Sequence, residues 1–166
     1  TQFTHFKIHT QYSICEGSVK IIDLKDHCKK NKIRSVGLSD TRNLCGALEF
    51  AETISKVGTQ PIISTQINFK FKDHIGNIPI IANNFEGYKS IIGLSSKSYL
   101  ENKTTDEPHC LFQELLNIKS GATVLSGSFG GLIGNLFSKN LLTEIDEVLK
   151  LIKDVFKDKF YLEVQR

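Results

Sequence analysis

Strand-like and helix-like stretches alternate along almost the whole of this chain, and that alternation restricts its fold more than any other feature. Residues 3–9 read as a strand, with Phe6 and Ile8 on one face and His5, Lys7 and His9 on the other. A polar loop over 10–17 leads to a helix capped by Ser18 and running to Lys30, with Val19, Ile22, Leu24 and Cys28 as its apolar side. A second strand covers 33–39, and Asn43 caps a helix to Val57 that Gly58 closes. Residues 61–71 form a third strand, marked by Ile62, Ile63, Ile67 and Phe69, and 78–82 a fourth after a turn at 73–76. Further helices are expected over 85–99, 111–118 and 142–156, and further strands over 122–126 and 160–164. The segment 101–108 reads as a loop, and the glycine-rich 127–131 as a tight turn in preference to a phosphate cradle. Such alternation predicts an α/β fold with a mainly parallel sheet or barrel.

The 166 residues suffice for one domain with a real core. A net charge of +3 gives no case for a strongly basic nucleic-acid platform, because the lysines are spread along the chain. Cys15, Cys28, Cys45 and Cys110 form no C-x-x-C pair, which argues against a zinc knuckle. With no secretory leader and no apolar run of membrane-spanning length, the expected setting is a reducing cytoplasm with free thiols. The chain stops directly after a strand, as a piece of a longer protein would.

In parallel barrels the chemistry gathers at the C-terminal ends of the strands. Those positions here are His9, Ser39-Asp40-Thr41, Gln66, Asn77 near the start of the fourth strand, and 126–131. A His-x-His clamp at the first strand would suit a metal, but its first member is Lys7, which offers donors only. His5 and His9 lie four residues apart, roughly 13 Å along an extended strand, too far to share one ion. His9 also reads simply as a hydrogen-bonded strand-end histidine, and Asp40 as the cap of the following helix.

Five strings resemble the PHP domain that opens the alpha subunit of bacterial DNA polymerase III. His5-Phe6-Lys7-Ile8-His9-Thr10-Gln11-Tyr12-Ser13 is similar to its first motif, H-L-x-V-H-[ST]-x-Y-S. Leu38-Ser39-Asp40-Thr41-Arg42-Asn43 and the residues to Phe50 resemble L-T-D-x-x-N-[LM]-x-G-x-x-x-F. Pro61-Ile62-Ile63, then Ala82-Asn83-Asn84 with Gly87-Tyr88, and finally Phe160-Tyr161-Leu162-Glu163-Val164-Gln165-Arg166 follow in the family's order and spacing. The resemblance implies the front portion, over 1–166, of a partial, distorted (β/α) barrel of PHP type.

Working members of the family resemble three-metal phosphoesterases. Carried over by position, Lys7 stands for a histidine, His9 keeps one, and Glu16 keeps the loop acid. Asp40 stays, Thr41 replaces a histidine, Gln66 a glutamate, Asn77 a histidine, and Ser128 a cysteine or histidine. The resemblance therefore implies a vestigial site with no catalytic residue and no metal. Lys7, facing that former pocket, either supplies positive charge toward Glu16 and Asp40 or snorkels to water. It implies a parent that is a cytoplasmic DNA-directed DNA polymerase using Mg. Partners implied are the proofreading exonuclease subunit, other holoenzyme subunits, and DNA through the rest of the parent, with no membrane. A metal-dependent phosphoesterase and a free-standing interaction module are the alternatives.

Overall fold

The computed structural model describes residues 3–103, 105–118 and 120–164. Elements run α1 (Ile21–Asn31), β1 (Ser35–Thr41), α2 (Ala47–Ser55), β2 (Gln60–Phe71), β3 (His74–Ala82), α3 (Phe85–Leu100), β4 (Cys110–Leu111), α4 (Phe112–Leu116), β5 (Ala122–Leu125), α5 (Leu132–Ser138), α6 (Leu142–Phe156) and β6 (Phe160–Tyr161). The chain divides into two compact units, Thr1–Gln66 and Ile67–Arg166, with the boundary inside β2. The α/β expectation holds: β1–β2, β2–β4 and β5–β6 pair in parallel, while β3–β5 is antiparallel.

In the first unit, Ile21, Leu24 and Cys28 fall on one side of α1 at helical spacing. They pack with Val36 and Leu38 of β1 and Ala47, Phe50 and Ile54 of α2. Each large apolar side chain buried here contributes roughly 1.5–3 kcal/mol. Lys32 ends α1 in the left-handed region (φ 52°), its N–H reaching the Cys28 and Lys29 carbonyls. The expected caps differ. The N-cap of α1 is Lys20 and that of α2 is Gly46, neither with a side-chain hydrogen bond. Asn43 instead folds an Asx turn, its Oδ1 accepting from the Cys45 N–H.

The expected first strand over 3–9 is not a regular strand. It is an extended segment joined to β1 by one bridge, Ile8–Leu38. The Gly37 N–H donates to the His5 carbonyl, and the Gly37 carbonyl accepts from Ile8. Phe6 and Lys7 therefore stand opposite one residue, which is a β-bulge. The bulge breaks the period-two alternation that put His5, Lys7 and His9 on one face, and Phe6 is left 46% exposed.

In the second unit, β2 is followed across the sheet by β3, β5 and β6, with β4 beside β2. Asn84 caps α3 by accepting from Gly87 N–H, as the alternation from strand to helix requires. The expected strand over 160–164 is only Phe160–Tyr161, and the helix over 111–118 is the shorter α4. The 127–131 turn is tight, with Gly127 at φ 76°. It leads into α5, a seven-residue helix that the sequence reading does not anticipate. Among the described residues no helix is long and apolar enough to cross a membrane.

The thiols separate by burial. Cys15 and Cys45 are exposed, Cys28 and Cys110 buried. Burial, aided by nearby Glu114, pushes the Cys110 thiol up to about 12, and burial raises Cys28 as well. The thiolate is the reactive form. Maleimide at neutral pH is therefore expected to modify two cysteines quickly in the native protein and all four in urea, as counted by mass spectrometry. The sign for stability follows. The unfolded chain ionises Cys110 near 9 and the folded one near 12, so this contribution is whole below pH 9 and is lost as pH rises from about 9 to about 12.

Candidate functional site

The loop after the first extended segment is fastened by a buried carboxylate. Asp40, near the C-terminal end of β1, is fully buried. Its Oδ1 accepts from the Thr10 N–H at 2.6 Å and the Ser13 hydroxyl at 2.7 Å, and its Oδ2 accepts from the Thr10 hydroxyl at 2.7 Å. Ser13 Oγ in turn accepts from the Thr41 N–H at 3.1 Å. The Thr65 hydroxyl holds the Asp40 carbonyl from the paired strand at 2.6 Å. Asp40 is thus not the cap of α2, because its oxygens are committed to the loop. Tyr12 anchors the same loop from outside. Its hydroxyl donates to Glu49 at 2.6 Å, a bond that pushes the phenol above its ordinary value.

Above this anchor the structure brings together His9, Glu16, Thr41 and Gln66, four of the positions singled out in the sequence. The amide nitrogen of Gln66 lies 3.0 Å from His9 Nε2, so the amide donates and Nε2 accepts. That leaves the imidazole proton on Nδ1. Nδ1 faces the Ser13 and Thr41 hydroxyl oxygens at 3.5 Å each, and Glu16 at 3.7 Å. Thr41 donates its own proton to Glu16 at 2.5 Å. The His9 and Glu16 side chains are 29% and 50% exposed, so the cluster sits at a surface mouth.

Three of the singled-out positions remain, Lys7, Asn77 and Ser128. Lys7 is half-buried within the bulge. Asn77 and Ser128 belong to the second unit. There Asn77 bridges Gly131 from the middle of β3, not from near a strand start, because β3 begins at His74. A Cβ on Gly131 would lie 3.0 Å from the Asn77 carbonyl oxygen, a tight approach that favours glycine there. The loop positions that sequence reasoning passed over are Thr10 and Ser13. Their signal is a pair of hydroxyls three residues apart, just after an extended segment, a pattern suited to holding an acid.

Two of the gathered side chains, Gln66 and Thr41, are an amide and a hydroxyl. Among the described residues no three His, Cys, Asp or Glu side chains gather where they could hold one. The amide and hydroxyl at Gln66 and Thr41 are weak ligands, and each also occupies a lone pair on a better one, on His9 and on Glu16. A cation at His9 Nε2 would have to displace the Gln66 amide.

The chain matches the PHP domain family over residues 5–166. It is 30% identical to the DNA polymerase III subunit alpha of Haemophilus influenzae over 99% of this chain, and 32% identical to that of Borreliella burgdorferi over 100%. It spans only 14% and 15% of the length of those relatives. Among solved structures it is similar to an amidohydrolase from Chromobacterium violaceum, with a TM-score of 0.55 at 7% identity, over 87% of this chain and 74% of that one. It is also similar to a protein assigned as a metal-dependent phosphoesterase from Bifidobacterium adolescentis, with a TM-score of 0.53 at 10% identity, over 93% and 84%. At such identities the two structures speak for the fold alone. The fold, the order of the motifs and the match along nearly the whole chain agree: this chain belongs to the PHP domain family.

Proposed function

We propose that this chain is the N-terminal PHP portion of a replicative DNA polymerase III alpha subunit, and that its vestigial site serves stability, not catalysis. The observation that carries the reading is the hydrogen bonding of Gln66 to His9 and of Thr41 to Glu16. Residues at two former ligand positions satisfy the two ligands that remain. The same closure gives a rigid loop over 10–17, fixed to β1 through Asp40. The parent's nucleotidyl transfer, with Mg and DNA, belongs to chain beyond Arg166, in the cytoplasm. The role of this portion within the holoenzyme is to steady the alpha subunit and to dock the proofreading exonuclease subunit.

Without a metal-bound hydroxide the site has no nucleophile at neutral pH. The protein is therefore expected to show no turnover on p-nitrophenyl phosphate or single-stranded DNA with added manganese. Activity that survives repurification and vanishes in His9→Ala would overturn the proposal in favour of a phosphoesterase. Docking is tested by titrating the protein with the exonuclease subunit in a calorimeter. Saturable one-to-one heat supports it, and no heat at any accessible concentration contradicts it.

A further inference from the structure

The lysines, read from the sequence as spread along the chain, are not evenly divided between the units: the whole net charge of +3 falls in the first unit. The first unit carries nine lysines and arginines against six aspartates and glutamates, and the second carries twelve against twelve. Within the first unit the cations collect at one edge. Lys29 and Lys30 lie in the last turn of α1, Lys32 is its C-cap, Arg34 leads into β1, and Lys56 follows α2. Backbone contacts draw these segments together. The Gln60 N–H donates to the Arg34 carbonyl, and the Thr59 hydroxyl donates to the Ile33 carbonyl. All five side chains belong to exposed residues. The sequence has no acid between Asp26 and Asp40 or between Glu52 and Asp73. The acids of the site, Glu16 and Asp40, lie at the other end of β1, where that strand finishes.

Two cations would complement the dipole at the C-terminus of α1. Five, with no carboxylate within salt-bridge distance of any among the described residues, go beyond that need. We propose that this edge of the first unit binds the phosphate backbone of duplex nucleic acid. Four of the five are lysines, compact point charges that attract phosphates without reading base edges. No Phe, Tyr or Trp lies in 25–34 or 52–60, and the single exposed His27 is no stacking platform of the kind that successive unpaired bases use. The backbone of a duplex is the polyanion that this arrangement fits. The inference goes beyond membership of a polymerase and does not depend on the vestigial site.

The test is fluorescence anisotropy of a labelled 20-base-pair DNA duplex of mixed sequence, titrated with the protein over a range of NaCl. Replacing Lys29, Lys30 and Lys32 together by glutamine is expected to weaken binding about tenfold or more at low salt, and to lower the slope of log K against log salt by about 2 to 3. Replacing Lys103, Lys150 and Lys153 of the second unit by glutamine is the control of equal charge, and is expected to change binding less than about twofold. Equal losses in both variants would show a non-specific effect of net charge and overturn the proposal. Binding unchanged in the first variant, no binding at 25 mM NaCl, or displacement by poly-glutamate as effective per charge as by unlabelled duplex would overturn it too.

Discussion

Asp40→Ala is expected to destabilise the protein by about 4 kcal/mol, the largest effect of any single substitution at the site. The carboxylate is fully buried and is the acceptor for three donors, the Thr10 N–H, the Thr10 hydroxyl and the Ser13 hydroxyl. Hydrogen bonds to a charged group are worth roughly 1.5–3 kcal/mol each, and each donor left buried without a partner costs roughly 1–3 kcal/mol. Some of these donors would find water once the loop loosens, so the terms do not add in full. Asp40→Asn keeps the shape and one good acceptor, and its loss is expected to be about half as large. Urea unfolding of the two variants beside the parent protein measures both. An unchanged midpoint in Asp40→Ala would show that the loop over 10–17 is held by something else.

Gly37→Ala is expected to cost about 3 kcal/mol, at the upper end of what overpacking does. A Cβ there would lie 2.6 Å from the Phe6 Cα and 2.7 Å from the Phe6 carbonyl carbon, and backbone cannot swing aside as a side chain does. The bulged segment would have to leave β1, with loss of the bonds from Gly37 to His5 and from Ile8 to Gly37. Gly93→Ala supplies the contrast. Gly93 is exposed within α3 and has nothing within 4 Å of its would-be Cβ, so alanine there is expected to stabilise by about 0.5–1 kcal/mol. Thermal unfolding of the pair separates a steric effect from a general glycine effect. A gain in both would show that the segment over 3–9 yields without cost.

These two residues also mark where the sequence could be read and where it could not. The strand–helix alternation rests on long periodic stretches, and it survives in β1, β2, α2, α3 and α6. The first segment misleads because alternation assumes one residue for one across the ladder. Nothing local to 3–9 announces the bulge, and the reason for it lies thirty residues away at Gly37. Likewise α5 hides behind a glycine-rich turn and is only seven residues long. At the site, His9, Glu16, Thr41 and Gln66 were legible as one group through the resemblance to the family, which carries each onto a ligand position, and the structure brings the four together. Their hydrogen bonding was not legible. Which lone pair Gln66 occupies depends on side-chain orientation across β1 and β2, a tertiary matter. The role of Asp40 was misread for the same reason, since capping is local and its true partners, Thr10 and Ser13, are about thirty residues upstream.

In the proposed function His9 and Glu16 are satisfied by Gln66 and Thr41 and not by an ion. Elemental analysis of the protein purified without chelator, then dialysed against zinc or manganese and freed of excess, tests it most directly. Less than about a tenth of an equivalent of either metal is expected, unchanged in His9→Ala, because neutral amides and hydroxyls are poor ligands for such ions. Close to one equivalent, lost in His9→Ala, would contradict the account.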